Sequence, residues 1–109
     1  MKVEIVNFIP TELIIENYLT CRKIGKICYI CGACGFSSIS TNSPNILGTI
    51  SVKPINNIRD TIAISNQAWN PPESVQYIIF DTDDSSITIH TNTNYQSKYL
   101  YGSYVFVCK

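Results

Sequence analysis

The residues best suited to chemistry are five cysteines in a chain of 109 residues: Cys21, Cys28, Cys31, Cys34 and Cys108. Cys28-x-x-Cys31-x-x-Cys34-Gly35, with Cys21 upstream, has the short spacing of a zinc knuckle, where glycines let backbone amides turn toward a metal-bound sulfur. Cys21, Cys28, Cys31 and Cys34 are therefore the zinc candidates. A four-ligand site normally takes a second CxxC or CxxH pair, and the sequence holds none. Disulfides within this segment or to Cys108 are a second reading, and small buried hydrophobes a third. An odd count without a signal peptide weighs against a full disulfide framework. A cysteine nucleophile needs a base, and His90 is the one histidine. His90 closes an alternating segment on its polar side and reads as an exposed strand-end residue. The sequence thus supplies no catalytic set and implies no cofactor.

Acids cluster once, at Asp81, Asp83 and Asp84. They lack the glycine and distal glutamate of a calcium loop, so a solvated hairpin tip is the better reading. Aromatics are the strongest binding candidates. Tyr95, Tyr99, Tyr101 and Tyr104 crowd the last fifteen residues, and Trp69 sits in the turn Asn66-Gln67-Ala68-Trp69-Asn70-Pro71-Pro72. An apolar ring with a polar tip suits membrane interfaces, sugars and head groups. Trp69, Tyr95, Tyr99 and Tyr101 are the ligand-binding candidates. The plain alternative puts Tyr104 and Tyr101 in the core, with Tyr95 and Tyr99 covering an edge.

These residues must be positioned by strands. No window places apolar residues at helical spacing among good helix formers, whereas Ile, Val, Thr, Tyr and Phe abound. The strand candidates are residues 3–7, 12–18, 27–31, 47–53, 61–66, 75–80, 86–90 and 102–108. In the alternating segments Ile62 and Ile64 should share one face, Ile87 and Ile89 should point inward, and Tyr104, Phe106 and Cys108 should lie opposite Val105 and Val107. About eight short strands broken by Pro, Gly, Asn and Asp predict an all-β protein, a single antiparallel β-sandwich domain spanning residues 1–109.

Composition narrows the partners. Charged residues make up only 15%, eight of each sign, with a formal net charge of zero. Such a surface offers no footprint for a nucleic-acid backbone and little repulsion against self-association. No apolar run reaches the length of a signal peptide core or a membrane span, so the chain reads as synthesised inside the cell in soluble form.

The segments Val3-Glu4-Ile5-Val6-Asn7, Leu13-Ile14-Ile15-Glu16-Asn17 and Gly25-Lys26 resemble the opening of the aegerolysins. Ile62-Ala63-Ile64-Ser65-Asn66, Glu73-Ser74-Val75-Gln76-Tyr77, Ile87-Thr88-Ile89 and Asn94-Tyr95-Gln96-Ser97 follow the order of their second half. Glu73 and Ser74 stand where that family shows a Gly-flanked Glu, and its several tryptophans are reduced to Trp69. The resemblance implies a small membrane-binding β-sandwich, often one half of a two-component pore or toxin. The expectation is a non-enzymatic module that recognises a membrane lipid or glycan, with a protein partner or a second copy as further partners. The alternative is a self-associating structural or interaction protein of viral or mobile-element origin.

Overall fold

The structure is a computed structural model that describes residues 2–41, 43–68 and 70–109. All regular structure among them is strand: β1 (Val3–Ile5), β2 (Phe8–Pro10), β3 (Ile14–Asn17), β4 (Thr20–Ile24), β5 (Ile27–Ile39), β6 (Asn45–Ile50), β7 (Ile58–Ser65), β8 (Ser74–Phe80), β9 (Ser86–His90) and β10 (Tyr95–Val107). The all-β, antiparallel expectation holds. Among the described residues the strands number ten rather than eight, and they form one hydrogen-bonded sheet in the order β1-β4-β5-β10-β7-β8-β9-β6-β2, with β3 also on β5.

The sheet curls because its two ends are the same stretch of chain. β1 pairs with β4 on one edge and β2 with β6 on the other, yet only Val6 and Asn7 separate them. The Val6 amide donates to the Cys21 carbonyl, while Asn7 and Ser51 exchange bonds on the opposite side. A strand that changes partner midway is a standard corner device in orthogonally packed sheets. Pro10 fits because β2 is an outermost strand, where a missing N–H breaks no central ladder.

The spine is the β5–β10 pair, each 13 residues long and matched from Val107↔Ile27 to Tyr95↔Ile39. Cys28, Ile30, Cys34 and Phe36 on β5, with Leu100, Tyr104 and Phe106 on β10, face inward and are buried. Ser97, between the Gln96↔Ser38 and Lys98↔Phe36 pairs of the ladder, has φ 53°. Beyond it the inward sense shifts from even to odd positions, so Ile39 is buried and Tyr95 packs on the core. A left-handed residue in a strand re-aims the side chains that follow.

The core is closed from the other half of the sheet. A void of only about 20 Å³ is lined at once by Ile30, Cys34 and Leu100 and by Leu47 and Ile87, which are several strands away in the sheet order. Phe80 meets Tyr104 edge-on at 5.3 Å and Phe106 at 5.4 Å, a spacing typical of attractive aromatic pairs. Ile62, Ile64, Ile87 and Ile89 are buried as their alternation requires.

The hairpin between β8 and β9 also forms as read. The Asp81 carboxylate accepts from the amides of Asp83 at 2.7 Å and Asp84 at 3.1 Å, and Asp84 accepts from the Ser86 amide at 2.9 Å. The bond from Ser86 holds the Asp84 carboxyl below the usual carboxylate range. These carboxylates cap their own turn.

Candidate functional site

Register places every outward residue of β3, β4, β5 and β10 on a grid. Where β3 and β4 run along one edge of β5, Glu16 lies opposite Gly35, Tyr18 beside Ala33, Thr20 opposite Cys31, Arg22 opposite Tyr29 and Ile24 opposite Ile27. On the other edge β10 sets Tyr99, Tyr101, Ser103, Val105 and Val107 against the same β5 residues. β7 extends the first two rows with Ser65 and Ala63. The outer face therefore runs from a tyrosine end to an aliphatic end.

At the tyrosine end the rings are flanked by small residues. A Cβ on Gly35 would lie 3.0 to 3.4 Å from three ring atoms of Tyr99, so that ring lies over the glycine. The gap lets the Tyr99 hydroxyl cross the strand and donate to Glu16 Oε2 at 2.6 Å. The Tyr18 hydroxyl donates to the same oxygen at 3.2 Å. Among the described residues no hydrogen bond reaches Glu16 Oε1. Both phenols titrate above their ordinary value, chiefly because each donates to this carboxylate, so they stay protonated donors at neutral pH.

Glu16, Tyr18 and Tyr99 line a hollow of about 530 Å³ with Asn66, Gln67 and Ala68. A second hollow, of about 650 Å³, shares Tyr18 and continues over Thr20, Cys31, Gly32, Tyr101, Gly102 and Ser103. Tyr18 thus stands between two adjoining concavities. Another hollow of about 560 Å³, beside Thr11, Ser38 and Ser43, has hydroxyls but no aromatic ring. It offers hydrogen bonds without stacking.

The sequence candidates divide accordingly. Tyr99 and Tyr101 share the outer face and both lie within strand β10. The Tyr101 hydroxyl donates to the Asn70 carbonyl at 2.7 Å. Tyr95 lies beyond the Ser97 kink, packs on the core and shares its hydroxyl with Ser74 at 2.7 Å, so it leaves the surface group. Trp69 lies outside the described residues. Tyr104 is core, as the plain alternative held, and its hydroxyl donates to the Thr61 carbonyl at 2.6 Å. Sequence reading missed Glu16 and Tyr18. Their signal was an i, i+2 spacing that puts them on one face of a strand.

The zinc reading of Cys21, Cys28, Cys31 and Cys34 is corrected by strand geometry. Residues three apart on β5 point to opposite faces, so Cys28 and Cys34 are buried inside while Cys31 is outward and half-buried. Cys28 and Cys34, six residues apart, are separated by about 20 Å of extended strand. Among the described residues no group of three or more His, Cys, Asp or Glu side chains could hold a metal ion. Burial pushes the thiol of Cys21 up to about 11 and those of Cys28 and Cys34 to about 12. That is the behaviour of inert, protonated thiols.

No family model, no curated protein and no solved structure matches this chain.

Proposed function

We propose that the protein is a non-enzymatic recognition module that binds a glycan or a lipid head group on its tyrosine face. The observation that carries this reading is Glu16, whose Oε2 takes two phenol protons while Oε1 has no partner among the described residues. The neighbouring Gln67 carboxamide, at the rim of the same hollow, is also unengaged among those residues. A charged acceptor, an amide and upward-facing tyrosine rings are the set that polyhydroxylated ligands use, stacking by C–H faces and donating through hydroxyls. The resemblance of the strand rhythm to the aegerolysins points the same way. The reading takes the curled sheet as a flattened, sandwich-like body, since its two halves line one narrow void.

The test is a glycan array together with calorimetry against soluble head groups. Glu16→Gln should weaken binding about tenfold or more, the usual cost of losing a charge-assisted bond. The same substitution should lower the titration of Tyr18 and Tyr99, read from tyrosinate absorbance. Failure of every glycan and head group to bind, or equal binding by Glu16→Gln, would overturn the proposal.

A further inference from the structure

At the opposite end of the same outer face the grid turns aliphatic. One transverse row is Val3–Ile24–Ile27–Val107, carried one position further by Ile55, whose amide donates to the Val107 carbonyl at 2.9 Å. The next row is Ile5–Arg22–Tyr29–Val105. Exposure is high for such side chains: 70% for Ile5, 71% for Val105 and 53% for Val3 and Ile55. A row of exposed aliphatic side chains set side by side, unlike apolar residues scattered singly, is a recurrent mark of an interaction or membrane site.

Charge decides what fits it. Lys2 precedes Val3, Lys26 forms the β4–β5 turn with Gly25, and Lys109 follows Cys108, whose amide donates to the Lys26 carbonyl. All three are exposed and border the aliphatic row. Arg22 lies on the face itself. The neighbouring acid, Glu4, points to the other face, where its carboxylate sits 3.6 Å from Lys23. The Asp81–Asp84 turn meets this end through Lys53, whose Nζ donates to the Asp83 carbonyl at 2.9 Å. Positive charge therefore gathers along the Lys2, Lys26, Lys109 and Arg22 side of the apolar face, and the acidic Asp81–Asp84 turn lies at its Ile55 end. Two copies stacked on these faces would bring like charges together.

We infer that this end of the sheet docks on a bilayer carrying anionic lipids, with the aliphatic rows in the head-group boundary and Lys2, Lys26, Lys109 and Arg22 on the phosphates. An apolar face in the interface plane, rimmed by basic residues, is the arrangement peripheral membrane proteins use. The surface is separate from the Glu16 hollow, so it stands whether or not a glycan binds there.

Co-sedimentation with phosphatidylcholine vesicles, with and without phosphatidylserine, tests it on the whole chain. Binding should require phosphatidylserine and weaken as salt is raised. Lys26→Gln and Lys109→Gln should each weaken it about fivefold. Ile5→Thr with Val105→Thr, which keeps β-branched strand formers, should abolish it with the circular dichroism spectrum unchanged. The inference falls if the protein ignores anionic vesicles, binds neutral ones equally, or forms a dimer that Val105→Thr dissociates.

Discussion

The two ends of one sheet face are built on the same strands, yet they spend their side chains differently. At the tyrosine end each hydroxyl has a partner within the chain: Tyr18 and Tyr99 on Glu16, Tyr101 on Asn70. At the aliphatic end Ile5 and Val105 are mostly in solvent, and Ile27 and Val107 are only about half covered. Hydrogen bonding orders the first end as a preformed site. The second is left as bare apolar surface whose stabilisation must come from outside.

The largest effect is expected at the junction between them. Gly32 has φ +126°, and a Cβ there would lie 2.3 Å from the Tyr18 carbonyl oxygen. Gly32→Ala should cost about 3 kcal/mol or more, from backbone strain and collision. It should lower the thermal midpoint by about 10 °C or more and displace Tyr18 from its hollow. An unchanged midpoint would mean the junction does not divide the face as described.

A smaller contrast tests the ends directly. Tyr99→Ala removes the ring over Gly35 and the bond to Glu16, and should lower the unfolding midpoint measurably. Val105→Ala should stay within about 0.5 kcal/mol, as surface substitutions do. Urea unfolding of both variants gives the ratio, and equal costs would erase the distinction.

The gentlest probe is thiol chemistry. Cys31 opens on the outer face, whereas Cys21, Cys28, Cys34 and Cys108 are buried. Iodoacetamide should add once to the native protein and five times after denaturation, as counted by mass spectrometry. Because burial raises the folded values of Cys21, Cys28 and Cys34 from 9.0 to about 11 or 12, the unfolded chain loses these protons first. Their contribution is intact below pH 9 and fades as pH rises toward 12. The thermal midpoint should fall across that window, and a flat profile would mean these thiols are not desolvated.

Legibility followed periodicity. In β7, β9 and the end of β10 alternation grouped the residues of each face correctly, and in β9 it also named Ile87 and Ile89 as the inward pair. The second half of β5 gave no strand signal, because Ala33, Cys34, Gly35 and Phe36 are all buried and leave no alternation, and the cysteine spacing there left zinc, disulfide and buried-thiol readings open. β4 was missed because Cys21-Arg22-Lys23 places a lysine inward beside Glu4 at the sheet edge. In β10 the left-handed Ser97 breaks the period, which hid the strand's first half and sent Tyr95 to the opposite side from Tyr99.

The sequence by itself determined the strand class, the Asp-capped hairpin and which residues of the regular strands share a face, since parity and turn geometry depend on residues close in the chain. Tertiary structure alone decided which outward residues become neighbours. Glu16 and Tyr99 are 83 positions apart, and Val3 meets Ile24, Ile27 and Val107 in one row. Cross-strand adjacency is set by register, and register is a property of the closed sheet rather than of any segment in it.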